Sequence, residues 1–334
     1  MRGLIWRLPW LLFALVCLYI LFYRWQLELL TLTPIDFVTT TRALIQQGQY
    51  AEAADQVAYF LDLADAHDRS ELEALAAEID NHRSSLDYQT EKIQEGLLTG
   101  SSDELSGQVT GLATSMLVIG DIRDLVKEGL HWLHNEETDE LIVALSSIGV
   151  VATAVQLISF GTTSPIKAGI SVTKVAHQAG AIPPWLRQHL IQGSSKVLET
   201  RSLAPVIATI TKIQRLIDHV GYRQGFALLG LTRDPGSLNR MAQVAKHLGP
   251  ATGPLMRLGG DAALAIAPQI EKLGIANLKL ASRYGPQGLH TLVQVGPVRF
   301  VKYGARLAKL GYTYPWLATL ANYLLKVPAF MWVI

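Results

Sequence analysis

Apolar and polar positions recur along this chain with the spacing of helices. From Ser70 onward, apolar residues return every three or four positions and acidic residues lie between them, as in a helix with one buried face. These apolar residues are Leu72, Leu75, Ile79, Leu86, Ile93 and Leu97. No alternation of apolar and polar residues is long enough to predict a β-sheet. The sequence therefore predicts an all-α fold.

The first apolar stretch runs from Leu8 to Tyr23 and is framed by Arg7 and Arg24. Sixteen helical residues extend roughly 24 Å, slightly less than the hydrocarbon core of a bilayer, and a flanking arginine can direct its charge to the headgroups. Aromatic residues of the interfacial kind lie near both ends: Trp6, Trp10, Tyr23 and Trp25. Because no cleavage site of small residues follows, residues 1–30 are predicted to be an uncleaved transmembrane anchor.

Charges around this anchor predict its orientation. Arg2 and Arg7, together with the amino terminus, outweigh Arg24 with Glu28, so the N-terminus is expected in the cytoplasm. Residues 31–140 would then be periplasmic. The anchor and the absence of eukaryotic targeting signals favour a bacterial inner-membrane protein.

The chain has a net charge of +1, but the charges are strongly segregated. Residues 31–140 contain 22 Asp/Glu and 6 Lys/Arg, which gives −16, whereas residues 141–334 contain 5 Asp/Glu and 20 Lys/Arg, which gives +15. The second half is depleted of acids rather than rich in bases. We therefore expect an acidic helical domain at 31–140, followed by a basic half.

A helical hairpin is predicted at the start of the acidic domain. The stretch QGQYAEA, with Gly48, Tyr50 and Ala53, resembles the turn between the two helices of a tetratricopeptide repeat. Such repeats stack in arrays of three or more, and no second copy is present. The resemblance covers about 30 residues and implies only the hairpin, not a peptide-binding function.

A second apolar stretch occurs at 141–163, where the sign of the charge changes. Residues 141–160 are uncharged, acidic residues precede them and Lys167 follows. Twenty such residues fit a bilayer, and a second span here would return the basic half to the cytoplasm. The polar residues Ser146, Thr153 and Gln156 suit the alternative, a core helix of a helical bundle. The sequence leaves both alternatives open.

Residues 164–312 predict a basic array of short helices that end at glycine. Six glycines follow a basic residue and one apolar or aromatic residue: Gly249, Gly259, Gly274, Gly285, Gly304 and Gly311. A cation in the last turn and a left-handed glycine behind it are both typical of a helix C-terminus. Beyond the array, residues 313–334 form an apolar C-terminal helix that would either span the membrane or lie in its interface.

The basic half suggests an anionic partner, and the whole chain suggests the lipid bilayer and a protein partner. Anionic lipid headgroups or the acidic domain itself would suit the charge. Nucleic acid is not expected, because the sequence has no Lys/Arg run and no nucleic-acid-binding motif.

No catalytic, cofactor-binding or metal-binding residue is predicted. Glu128 and His131 have the spacing of half a di-metal site, but no second Glu-x-x-His occurs. Ser164 with Lys167, and Ser171 with Lys174, have the spacing of a serine nucleophile and its lysine, without the partner motifs of penicillin-recognising enzymes: Ser-Asp-Asn and Lys-Thr-Gly.

The function expected from these features is that of a non-enzymatic scaffold or interaction protein of the inner membrane. One alternative is a membrane-perturbing or pore-forming protein in which residues 141–163 insert as a hairpin. The other alternative is an enzyme whose site is assembled from distant helices and is not visible in the sequence.

Overall fold

A computed structural model describes residues 23–61, 63, 66–85, 139–158 and 164–326. Within these ranges the regular structure is entirely helical, which confirms the all-α prediction. The predicted anchor between Leu8 and Phe22 lies outside the described residues, as do residues 86–138 of the acidic domain. In the described ranges, no helix combines the length and the apolar character that a membrane crossing needs. Membrane anchoring therefore stays a prediction.

The helices before the apolar stretch at 141–163 are α1 (residues 23–30), α2 (Phe37–Gln46), α3 (Tyr50–Leu61) and α4 (Ala66–Arg83). After residue 138 come α5 (Glu140–Ile158), α6 (Ser164–Gln178), α7 (Pro184–Thr200), α8 (Ala204–Val220), α9 (Tyr222–Gly230) and α10 (Pro235–Leu248). The last group is α11 (Thr252–Ala265), α12 (Ile270–Leu273), α13 (Ile275–Ser282), α14 (Gly285–Val295), α15 (Pro297–Thr313) and α16 (Pro315–Lys326).

The chain forms two compact units. The first contains residues 1–40 and 257–334, so that it joins both ends of the chain, and the second contains residues 41–256. In the second unit α5 packs against α6 and α7, while α8 packs against α6, α7 and α10. Apolar side chains with no exposed surface fill this core, among them Leu145, Ile148, Leu190, Ile210 and Ile213.

The apolar stretch at 141–163 is a helix from Glu140 to Ile158, and residues 159–163 lie outside the described ones. Leu141, Leu145 and Ile148 have no exposed surface. In the same unit, Asp55 before this helix forms an ion pair with Arg223 after it. Segments of the chain before and after α5 are therefore in contact within the second unit. The packing is that of a core helix, and a second transmembrane span here is not supported.

The hairpin expected near residue 48 is present in the structure. α2 and α3 are joined by a turn in which Gly48 has a φ of 73°, a conformation that glycine adopts at no steric cost. The Gln56 side chain on α3 donates a hydrogen bond to the Thr41 hydroxyl on α2. The resemblance thus located a local supersecondary structure.

Only some of the six glycines in the basic half end helices. Gly249 and Gly274 have positive φ directly behind helices, as predicted, and Gly285 has positive φ as the first residue of α14. The break expected at Gly259 falls at Gly260 instead. The helix ends predicted at Gly304 and Gly311 are wrong, because both glycines lie inside α15. They belong to its buried face: Phe300, Gly304, Ala308 and Gly311. Gly311 instead serves close packing, because a Cβ there would overlap the backbone of Leu30.

The apolar C-terminal segment begins as α16, which has 12 residues. A helix of that length extends about 18 Å, less than the roughly 30 Å of a hydrocarbon core. Residues 327–334 lie outside the described ones. The choice between a span and an interfacial helix therefore stays a prediction.

Candidate membrane-interface site

Residues that directly follow the first apolar stretch are held by the last two described helices. The Arg24 guanidinium donates a hydrogen bond of 3.0 Å to the carbonyl of Leu325 in α16. The Trp25 ring lies 5.3 Å from the ring of Tyr303 in α15, and the guanidinium of Arg299 lies 5.5 Å above Trp25. Cations over indole rings are favourable contacts. α1, α15 and α16 thus meet in one basic and aromatic cluster of the first unit.

A polar seam attaches α1 to α14 in the same unit. The Gln287 amide donates to the Thr31 hydroxyl at 2.8 Å. The Gln294 side chain lies between Glu28 and His290; with its amide nitrogen assigned toward the carboxylate, it donates to both Glu28 oxygens at 2.7 and 3.1 Å and its oxygen accepts from His290. The three α14 residues recur at intervals of three and four, so they share one helix face. Leu29 and Leu32, in the same segment as Glu28 and Thr31, have no exposed surface.

α15 turns a row of cations to the solvent. Its four bases are exposed and recur at intervals of three, four and three residues: Arg299, Lys302, Arg306 and Lys309. This spacing places them in one stripe along the helix. The buried face of α15 lies on the opposite side, against α1, where a Cβ on Gly311 would overlap the carbonyl oxygen of Leu30. Close packing on one side of the helix therefore directs the cations outward.

An apolar stripe runs beside these cations. Val298 is 78% exposed, Val301 is 52% exposed and Tyr312 is 67% exposed. Because they are separated by 3 and 11 residues, they share a face next to the basic stripe. Exposed valines are unusual in such a row, since apolar residues at helical spacing normally face a core. α15 thus offers charge and apolar surface together.

α16 exposes a second apolar row, which is richer in aromatic residues. Trp316 is 64%, Leu320 is 49% and Tyr323 is 66% exposed, at intervals of four and three residues. The Lys326 ammonium lies 5.7 Å from the Tyr323 ring centre. We call the exposed residues of the two helices the basic–aromatic surface: Val298, Arg299, Val301, Lys302, Arg306, Lys309, Tyr312, Trp316, Leu320 and Tyr323.

The charge of this region is uniform. Residues 272–334 contain eight Lys/Arg and no Asp or Glu. A basic surface without interspersed acids produces a positive potential that attracts anions over a Debye length of about 8 Å at physiological salt. Tryptophan and tyrosine are the residues that favour the boundary between water and lipid. Together these features suit an anionic, partly apolar surface.

Two further polar clusters lie in the second unit. Asp139 accepts backbone hydrogen bonds from Leu141 and Ile142, contacts His177 at 2.5 Å and lies 3.7 Å from Arg187. Burial alone would raise the pKa of Asp139, but the hydrogen bonds and the charge of His177 hold it below its ordinary value of 3.8. This cluster joins the start of α5 to α6 and α7.

The second cluster surrounds the ion pair of Asp55 with Arg223. Gln224 donates a hydrogen bond of 2.7 Å to the same carboxylate, while its amide oxygen is buried. Neither that oxygen nor the buried hydroxyl of Thr252 has a hydrogen-bond partner among the described residues. The ion pair connects α3 and α9, and Gln224 also lies against Gly253 of α11, where an added Cβ would be 3.0 Å from its side chain.

The residues considered for chemistry in the sequence fall partly within the described ranges. Glu128 and His131 lie outside the described residues. Ser171 and Lys174 lie on α6, where Lys174 is buried. In the ranges that the structure describes, no group of three or more His, Cys, Asp or Glu side chains could hold a metal ion.

The sequence contains two signals for the basic–aromatic surface. The interval of three, four and three residues between the α15 bases is readable from the sequence, as is the absence of acids after Glu271. Lys302 and Lys309 were instead interpreted as cations in the last turns of two short helices, which divided one stripe between separate predicted elements.

Comparisons with known proteins return no match: no protein-family model fits the chain, and neither a curated protein nor a solved structure shows significant similarity to it.

Proposed function

We propose that the protein is a membrane-anchored, non-enzymatic scaffold of the bacterial inner membrane, held by residues 1–30. The observation that carries the proposal is the packing of α1. This helix directly continues the predicted anchor and is fixed to the C-terminal helices through Arg24, Trp25 and the seam to α14. An anchor joined in this way to a folded unit would hold that unit at the membrane, instead of tethering it through a linker.

A single anchor places everything after it on one side of the membrane. Contacts that support this topology occur in both units. In the first, the backbone N–H of Ile35 donates to the carbonyl of Arg283. In the second, Asp55 pairs with Arg223. Each contact joins chain before α5 to chain after it. With the N-terminus in the cytoplasm, both units would be periplasmic.

The proposed scaffold role assigns the acidic part of the chain to a protein partner. α4 exposes Glu73, Glu78 and Asp80, and most of the 22 acids of residues 31–140 have no basic neighbour in sequence. A negative surface steers a basic partner and excludes an acidic one. The membrane-perturbing alternative would require α5 to leave the core, so the packing of Leu145 and Ile148 favours the scaffold.

The topology is tested by reporter fusions to the full chain. Alkaline phosphatase, which works only in the periplasm, and a fluorescent protein that matures only in the cytoplasm are fused after residue 120 and after residue 235. We expect phosphatase activity and no fluorescence at both junctions. Fluorescence at 235 alone would mean that α5 crosses the membrane. Release of the full chain from membranes by alkaline carbonate would contradict the anchor itself.

A further inference from the structure

We infer that the basic–aromatic surface lies flat on the surface of an anionic bilayer, so that α15 and α16 form a second attachment beside the anchor. The inference rests on the proposed membrane anchoring, because it is α1 that brings this surface to the lipid. It goes further by naming a partner, anionic phospholipid headgroups in a sheet, and the residues that bind it.

The shape of the basic stripe favours a sheet of headgroups over one bound molecule. Ten residues separate Arg299 from Lys309, which corresponds to about 15 Å along the helix. Four exposed cations in a row over that length can face several phosphates at once. A convex helix surface of this kind does not enclose a single headgroup, because it provides no concave set of donors.

The apolar rows decide in favour of lipid over another anionic surface. Nucleic acid would satisfy the cations but would leave Val298 and Val301 in water, and an acidic protein would cover them only with an apolar row of its own beside the acids. A helix with a basic stripe beside an apolar stripe is the usual form of an interfacial membrane helix, and its apolar side chains enter the boundary between headgroups and acyl chains. The adjoining helix α16 adds three more exposed apolar or aromatic side chains, Trp316, Leu320 and Tyr323.

The contacts of α1 support the same orientation. Arg299 lies over Trp25, and Arg24 contacts the last turn of α16, so the exit of the predicted anchor and the basic–aromatic surface adjoin within one unit. If residues 8–23 are in the bilayer, these side chains lie within a Debye length of the headgroups. Attraction to anionic lipid then acts at its full strength.

The experiment uses the full chain in lipid nanodiscs, so that the anchor is present throughout. Cys17 is replaced by serine, and Thr319→Cys on α16 carries a dye whose emission reports polarity and is quenched by lipids brominated near the headgroup. Discs contain either phosphatidylcholine alone or phosphatidylcholine with a third of phosphatidylglycerol. We expect blue-shifted, quenched emission in the anionic discs, reversed by 0.5 M salt, and water-like emission in the neutral discs.

Matched variants identify the residues responsible. Lys302→Gln, Arg306→Gln and Lys309→Gln together remove three exposed cations of α15 and should reduce quenching in anionic discs to the level of neutral discs. Lys196→Gln, Arg215→Gln and Lys246→Gln remove three exposed cations of α7, α8 and α10 and should leave the quenching unchanged. Circular dichroism and melting temperature verify that both variants fold.

Several outcomes would overturn the inference. These are emission that stays water-like in both kinds of disc, quenching that is equal in neutral discs, or equal losses in the two triple variants. If millimolar glycerol phosphate abolishes the quenching in anionic discs, the surface binds a single headgroup at a discrete site and not a sheet of headgroups. None of these outcomes affects carbonate extraction or the reporters at 120 and 235, so failure of this inference and failure of the anchor are distinguishable.

Discussion

At the scale of single residues, Asp139 joins the start of α5 to α6 and α7. It caps α5 through the N–H groups of Leu141 and Ile142 and contacts the His177 imidazole on α6 and the Arg187 guanidinium on α7. Asp139→Ala removes all of these and should lower the free energy of unfolding by about 0.5–2 kcal/mol, the usual cost of a lost N-cap. Asp139→Asn retains the cap and should cost less.

The pH dependence of this effect follows from the sign of the pKa shift. The pKa of Asp139 is held below 3.8 in the folded protein. A carboxyl of this kind stabilises the fold above its ordinary pKa, and the stabilisation is lost as the pH falls through the lowered value. Urea denaturation should therefore separate wild type from Asp139→Asn at pH 7 and no longer separate them well below pH 3. An unchanged difference in acid would contradict this assignment.

Two buried threonines differ in their hydrogen bonding and provide a second test. Thr209 bonds to His189 at 3.0 Å, whereas the buried hydroxyl of Thr252 has no partner among the described residues. Thr209→Val should lower the free energy of unfolding by about 0.5–1.5 kcal/mol. Thr252→Val should leave it unchanged or raise it, because valine removes a polar group that is desolvated without compensation. Equal losses in urea denaturation would contradict the assignment.

At the scale of elements, α15 contains two glycines with opposite roles in packing. A Cβ at Gly304 would lie 3.6 Å from the Phe300 ring, an ordinary contact, whereas at Gly311 it would overlap the backbone of Leu30. Gly304→Ala should raise the free energy of unfolding by about 0.5–1 kcal/mol through helix propensity. Gly311→Ala should lower it by about 1–3 kcal/mol, because α15 must move away from α1.

Thermal melting of the two variants checks this prediction, and each is the control of the other. The same substitution is made in the same helix, so helix propensity contributes equally to both. A stabilised Gly311→Ala would mean that α15 does not pack closely on α1. The basic–aromatic surface would then lose its structural connection to the predicted anchor.

How far the sequence predicted each element depends on whether the signal is local. The hairpin at Gly48 and the helix ends at Gly249 and Gly274 were predictable, because a left-handed glycine is a local requirement. Gly311 was not, since its reason is Leu30, which is 281 positions away in sequence. The pairing of Asp139 with His177 was equally hidden. The basic stripe was local and readable, although only the fold shows which face is buried.

At the scale of the whole molecule, the environment of α5 determines whether the two charged halves lie in one compartment or in two. Apolar composition cannot distinguish a core helix from a span, because both bury nearly every side chain; what differs is the face that contacts water. Val150, near the middle of the apolar stretch, is 41% exposed, while Ile148 has no exposed surface. In a transmembrane helix, neither Ile148 nor Val150 would contact water. The two residues therefore provide a direct test of topology.

In a core helix, Val150→Lys directs its ammonium into solvent and should change the melting temperature by no more than about 2 °C, as surface substitutions do. In a span, a lysine at the centre costs about 2.5–3.5 kcal/mol of insertion free energy and would disturb the topology. Ile148→Lys places an unpaired charge in the core and should abolish folding. We expect Val150→Lys to retain wild-type yield, melting temperature and phosphatase activity at residue 235. Loss of folded protein in both variants alike would indicate that α5 spans the membrane and that the acidic and basic halves lie in different compartments.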